Sequence, residues 1–96
     1  MKIIDEIGVP AMLEQLAEEC SELAHASLKL ARKIRGENST PKDIPELIEN
    51  LEEESADVSL CMYLLIDEGI IDTDTCCQAM YNKEQRWIDR IKEEKK

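Results

Sequence analysis

The sequence predicts an all-α fold: an antiparallel bundle of three main helices, with room for one further short helix, completed by self-association. Three observations predict it. Apolar residues recur at three- and four-residue spacing through most of the chain, the periodicity of one helix face. Aromatic residues make up only 3% of the 96 positions, with no Phe, so the core draws on Leu, Ile, Ala, Met, Val and Cys, a palette that favours helices over strands. Proline and glycine fall where helices start and stop.

The first main helix runs from about Pro10 to Gly36. Leu13, Leu16, Ala17, Cys20, Leu23, Ala24, Ser27, Leu30, Ala31 and Ile34 mark its apolar face. Glu14, Glu18 and Glu19 lie early while Lys29, Arg32, Lys33 and Arg35 crowd the end, which complements the helix dipole. Residues before Gly8 are compatible with a helical turn or an extended arm. Gly36, Asn38, Ser39, Pro41 and Pro45 form the one convincing interior linker.

From about Pro45, Leu47, Ile48, Leu51, Ser55, Val58, Met62, Leu65 and Ile66 define the second helix, which Gly69 stops. Between Val58 and Ile66 this helix is apolar almost all round, and a helix apolar on every side is normally buried on every side. A chain this short buries only about 60–65% of its unfolded surface, and two partner helices hardly enclose such a segment. Burial against another subunit is therefore expected. Asp72, Thr73 and Asp74 offer N-caps for the third helix, with Cys77, Met80, Tyr81, Trp87, Ile88 and Ile91 as its apolar stripe; the charged tail Lys92 to Lys96 is expected to fray. The whole, residues 1–96, reads as a single domain.

Composition narrows the function classes. Asp and Glu total 22 against 12 Lys and Arg, a formal net charge of -10, so binding to a nucleic-acid polymer is not expected. No apolar run is long enough to span a bilayer. The N-terminal residues lack a secretory apolar core, so Cys20, Cys61, Cys76 and Cys77 read as reduced thiols of a cytoplasmic protein. With no Cys-x-x-Cys pair and a single His, a structural zinc site is poorly supported.

The carboxylates have a pattern. Glu19-x-x-Glu22 on the first helix and Glu54-x-x-Asp57 on the second are both acidic i,i+3 pairs, so each stacks two carboxylates on one helix face. On antiparallel helices the four converge, and such a cluster repels itself unless a hard cation neutralises it; oxygen-only ligation suits Mg²⁺ or Mn²⁺. Glu19 and Glu54 fall at the edge of their apolar stripes, Glu22 and Asp57 further round. In a chain with 35% charged residues, acidic pairs of this kind are also the pattern of an ordinary solvated face. Glu18, Glu52 and Glu53 extend both clusters, and Glu18 and Glu53 are candidate general bases. Lys83, Arg86 and Arg90 share one side of the third helix beside Asn82 and suit phosphate oxygens, or else pair with neighbouring acids. Glu22-x-x-His25 is half of the motif pair used by di-iron carboxylate bundles. Tyr63 and Trp87 are either core residues or stacking platforms for a base, core being the commoner use.

At these residues the chain resembles the all-helical nucleoside triphosphate pyrophosphohydrolases of the MazG type, whose hallmark is Glu-x-x-Glu on one helix and Glu-x-x-Asp on the next. The similarity extends through Leu16-Ala17-Glu18-Glu19-Cys20-Ser21-Glu22-Leu23-Ala24 and Glu53-Glu54-Ser55-Ala56-Asp57-Val58, and a later Asn82-Lys83-x-x-Arg86 is similar to the family's basic segment. The resemblance implies Mg²⁺-dependent hydrolysis of a nucleoside triphosphate to monophosphate and pyrophosphate. It implies metal ligation by Glu19, Glu22, Glu54 and Asp57, substrate contacts from Asn82, Lys83 and Arg86, and a homodimer or homotetramer. The Gly36 to Pro45 connection is longer than the family pattern and bears on which substrate is taken. Two other readings keep distinct signatures: a non-enzymatic helical adaptor would bind a partner helix without metal, and a di-iron protein would need His25.

Overall fold

The computed structural model describes residues 1–37 and 41–96, and among them it is all-helical, with four helices and no strand. The turn-forming positions Asn38 and Ser39 lie outside the described residues. The chain parts into two units, Met1–Leu65 and Ile66–Lys96.

In the first unit, α1 (Ile3–Ile7) is a short helix that packs against α2 (Val9–Ile34). Gly8 joins them with φ 88 and ψ 160, a backbone region open essentially to glycine alone. Its amide donates to the Ile4 carbonyl and its own carbonyl accepts from Met12, so the bend leaves neither group idle. Ile4 is buried, which anchors a segment whose conformation the sequence leaves open. Pro10 occupies the first turn of α2, where its missing N–H costs nothing, and Gly36 follows the helix end at φ 74.

The helix α3 (Ile44–Asp67) begins one residue before the expected Pro45. Asp43 supplies the reason: its Oδ1 accepts the Glu46 amide at 3.0 Å, an N-cap that the proline-rich linker hides from a sequence reading. The buried side chains Ile4, Met12, Ala26, Leu47, Cys61 and Leu65 all belong to this first unit. Full burial of one leucine stabilises by roughly 1.5–3 kcal/mol, so a core this small is carried by a few positions.

In the second unit, α4 (Thr73–Glu94) starts at the expected N-cap Asp72, whose Oδ2 accepts from the Thr75 amide at 2.9 Å and from the Thr75 hydroxyl at 2.8 Å. Those bonds hold the Asp72 carboxyl below its ordinary value, the backbone N–H first. The helix runs through Lys92 to Glu94, and Lys96 pairs with Glu93 at 3.4 Å. One expectation needs correction: Trp87 and Tyr63 are not core residues, each being 64% exposed, and no residue of α4 is buried within the chain. Helical periodicity marks an apolar face but does not say which molecule covers it.

Candidate metal centre

Glu19 and Glu22 stand one turn apart on α2, and Glu54 and Asp57 one turn apart on α3. One carboxylate oxygen from each lies within 4.8 Å of all the others. Glu19 senses the charge of Asp57, Glu22 sits against Glu54, and Cys61 lies beside Glu19 and Cys20. These neighbours run in opposite chain directions, so α2 and α3 are antiparallel across this stretch. That register aligns the two i,i+3 pairs face to face.

Burial grades across the four. Glu19 and Glu54 are half-buried at the rim of the core, while Glu22 and Asp57 are exposed, as stripe-edge placement predicts. The Oε2 atoms of both Glu19 and Glu54 are buried without any hydrogen-bond partner. A buried charge without a partner is costly, and side chains normally avoid it unless a ligand makes up the difference.

The titration directions have the same origin. Glu19 is raised above its ordinary value by loss of solvent, opposed by a hydrogen bond from Gln15 and reinforced by the charges of Glu22 and Asp57. Glu22 is raised by loss of solvent and then by Glu54. Cys61 is raised too, by burial first and by Glu19 and Asp57 next, which puts a buried thiol at the edge of the cluster.

The donor set fits a hard divalent cation. It is oxygen-only, and oxygens on opposite sides of Mg²⁺ lie about 4.2 Å apart, twice the bond of about 2.1 Å; four donor atoms within 4.8 Å need little adjustment to close on one ion. Gln15, which sequence reasoning missed, contributes to that geometry. Its Nε2 donates to Glu19 Oε1 at 2.7 Å, which fixes the carboxylate and leaves Oε2 turned inward. The available signal was a carboxamide four residues before Glu19, a spacing indistinguishable from any surface i,i+4 pair.

The other expected site residues lie outside the quartet. Glu18 is exposed and near enough to Glu22 for its charge to raise it, and Glu53 is exposed. His25 is not among the clustered donors, and instead lines an open concavity with Leu28, Lys29 and Arg32. Lys83, Arg86 and Arg90 share a concavity on α4 with Trp87 and Asp89, as one helix face requires. Asn82 is exposed, and its Oδ1 accepts from Gln78 at 3.2 Å. All four cysteines are free, and no helix among the described residues is long and apolar enough to cross a membrane.

Comparison with family models, with curated proteins and with solved structures gave no match for this chain.

Proposed function

We propose that this chain is a Mg²⁺-dependent nucleotide pyrophosphohydrolase, converting a nucleoside or deoxynucleoside triphosphate to its monophosphate and pyrophosphate. The observation that carries the proposal is the pair of buried, unpartnered oxygens on Glu19 and Glu54 within a four-carboxylate cluster. An ordinary solvated face keeps its carboxylate oxygens in water; this one withdraws two of them, on residues whose carboxylates gather within 4.8 Å. Sequence resemblance to the MazG-type enzymes turns that metal centre toward phosphoanhydride chemistry.

In this reading Glu19, Glu22, Glu54 and Asp57 hold the cation, with Mn²⁺ as a substitute, and Gln15 keeps Glu19 in its ligating orientation. The cation, when bound, offsets phosphate charge and makes the α-phosphorus more electrophilic. Water attacks that phosphorus, the bond to the bridging oxygen breaks, and pyrophosphate departs with the electron pair. Glu18 or Glu53 takes the proton from water, and Glu18 lies close enough for its charge to act on Glu22. Lys83 and Arg86, with Asn82 beside them, contact phosphate oxygens and stabilise the charge that develops on them.

The active unit is a homodimer or homotetramer in which three main helices of each chain complete a bundle. Support comes from apolar side chains that the lone chain leaves open, notably Leu60, Tyr63, Met80, Tyr81, Trp87 and Ile91. A monodisperse monomer in sedimentation at micromolar concentration would rule this part out. The activity is tested by measuring pyrophosphate released from a panel of common and modified nucleoside triphosphates, in Mg²⁺ and in EDTA. Metal-dependent release is expected, and a folded protein that releases none from any substrate would return the choice to a partner-binding module.

A further inference from the structure

We propose that the His25, Lys29 and Arg32 side of α2 is an anion seat that holds the polyphosphate tail of the substrate, an inference that rests on the metal reading for the tail's other end. Three observations carry it.

The first is an imbalance of charge. Carboxylates outnumber cations in this chain, yet no acidic residue occurs between Glu22 and Glu37, and that interval contains Lys29, Arg32, Lys33 and Arg35. The helix dipole accounts for cations in the last turn, where Arg32 and Lys33 sit, and its effect fades beyond that turn. It does not account for Lys29 and His25.

The second is the absence of partners. No residue three or four positions from Lys29 or Arg32 on α2 is acidic, and among the described residues no carboxylate pairs with His25, Lys29 or Arg32. By contrast, Arg35 at the helix end is paired with Glu37. The three side chains line one open concavity together with Leu28.

The third is alignment with the metal centre on one rigid rod. Glu22 and Lys29 are seven residues apart, as are His25 and Arg32, so they form two neighbouring rows along one side of α2. At a rise of 1.5 Å per residue Lys29 stands about 10 Å from Glu22 along the axis. Helical side chains lean toward the N-terminus, so the ammonium of Lys29 and the guanidinium of Arg32 extend back toward the quartet. A divalent cation offsets only part of the charge on a triphosphate; an ammonium about two turns and a planar guanidinium nearly three turns from Glu22, both leaning back along the rod, suit the remainder. The substrate class selected is one with an extended polyphosphate, which favours triphosphates over diphosphates.

The test titrates inorganic tripolyphosphate into the full chain by calorimetry, in Mg²⁺ and in EDTA, for the unaltered protein, K29Q/R32Q and K83Q/R86Q, with Mn²⁺ binding measured on each. The expected result is tripolyphosphate affinity about tenfold or more weaker in K29Q/R32Q, with Mn²⁺ binding and helical circular dichroism retained. Tripolyphosphate affinity within about twofold of the unaltered protein would overturn the seat, as would loss confined to K83Q/R86Q. Failure of the metal reading looks different: the unaltered protein would bind no Mn²⁺, while any tripolyphosphate binding in EDTA would still depend on Lys29 and Arg32.

Discussion

Replacing Glu54 with glutamine keeps the side chain's shape, removes one of the four charges proposed to hold the metal and alters one of the two buried unpartnered oxygens. Its effects on stability have opposite signs with and without metal. In EDTA the variant melts at or above the temperature of the unaltered protein, because one negative charge leaves a group whose oxygens lie within 4.8 Å of one another. With Mg²⁺ at about 100 times its dissociation constant, the unaltered protein gains about 2.7 kcal/mol by linkage. At roughly 4–8 °C per kcal/mol for a domain of this size, that is a rise of roughly 10–20 °C in the midpoint. The Glu54→Gln variant shows little of that rise at the same Mg²⁺ concentration. Differential scanning fluorimetry across a Mg²⁺ titration reads both arms, with circular dichroism to confirm helix content. A variant that keeps the full Mg²⁺-induced rise refutes the ligand assignment, and a metal-free midpoint far below that of the unaltered protein refutes the electrostatic argument.

Other consequences follow from the same geometry. Glu19 and Glu22 keep their protons above the ordinary value of 4.5, so the stability they contribute is full below 4.5 and is lost as pH rises through their raised values. In EDTA the melting midpoint should therefore fall between pH 4.5 and neutrality more steeply in the unaltered chain than in E19Q/E22Q, and equal slopes would show that the cluster does not couple to folding. Asp72 acts in the other direction and lower down, its contribution being lost as pH falls below 3.8. Gln15→Leu frees Glu19 Oε1 and should weaken Mn²⁺ binding by about tenfold or more with the fold intact, and unchanged affinity in a calorimetric titration would reduce the hydrogen bond to a surface contact. Leu47→Ala empties one of the most enclosed positions of the first unit, 1% exposed, and should cost about 2–5 kcal/mol in urea unfolding; a loss under about 1 kcal/mol would mean that this core is not close-packed.

Much of the architecture was legible because periodicity and helix punctuation agreed. Pro10 and Gly36 bracket α2, Gly69 follows α3 and Asp72 caps α4, and between them the apolar spacing leaves little freedom. The quartet was legible for a related reason: two i,i+3 acidic pairs on consecutive antiparallel helices converge whenever the helices pack in that register, and edge placement foretold that Glu19 and Glu54 would be the half-buried members. What escaped was set by contacts that spacing does not encode. Gln15 looks like surface until Glu19 is seen to share its amide. The Asp43 cap is masked by flanking prolines, and α1 exists because one isoleucine, Ile4, finds a buried place. Trp87 and Tyr63 lie on apolar stripes and are nonetheless open in the lone chain, since a stripe specifies a need for cover and leaves its source unstated.

The most direct test of the account is the ³¹P spectrum of a nucleoside triphosphate incubated with the protein in Mg²⁺, beside a parallel sample of Glu54→Gln. Signals of nucleoside monophosphate and pyrophosphate are expected with the unaltered protein alone, and none in EDTA. Diphosphate with orthophosphate, or an unchanged triphosphate across the substrate panel from a folded and metal-loaded protein, would contradict it.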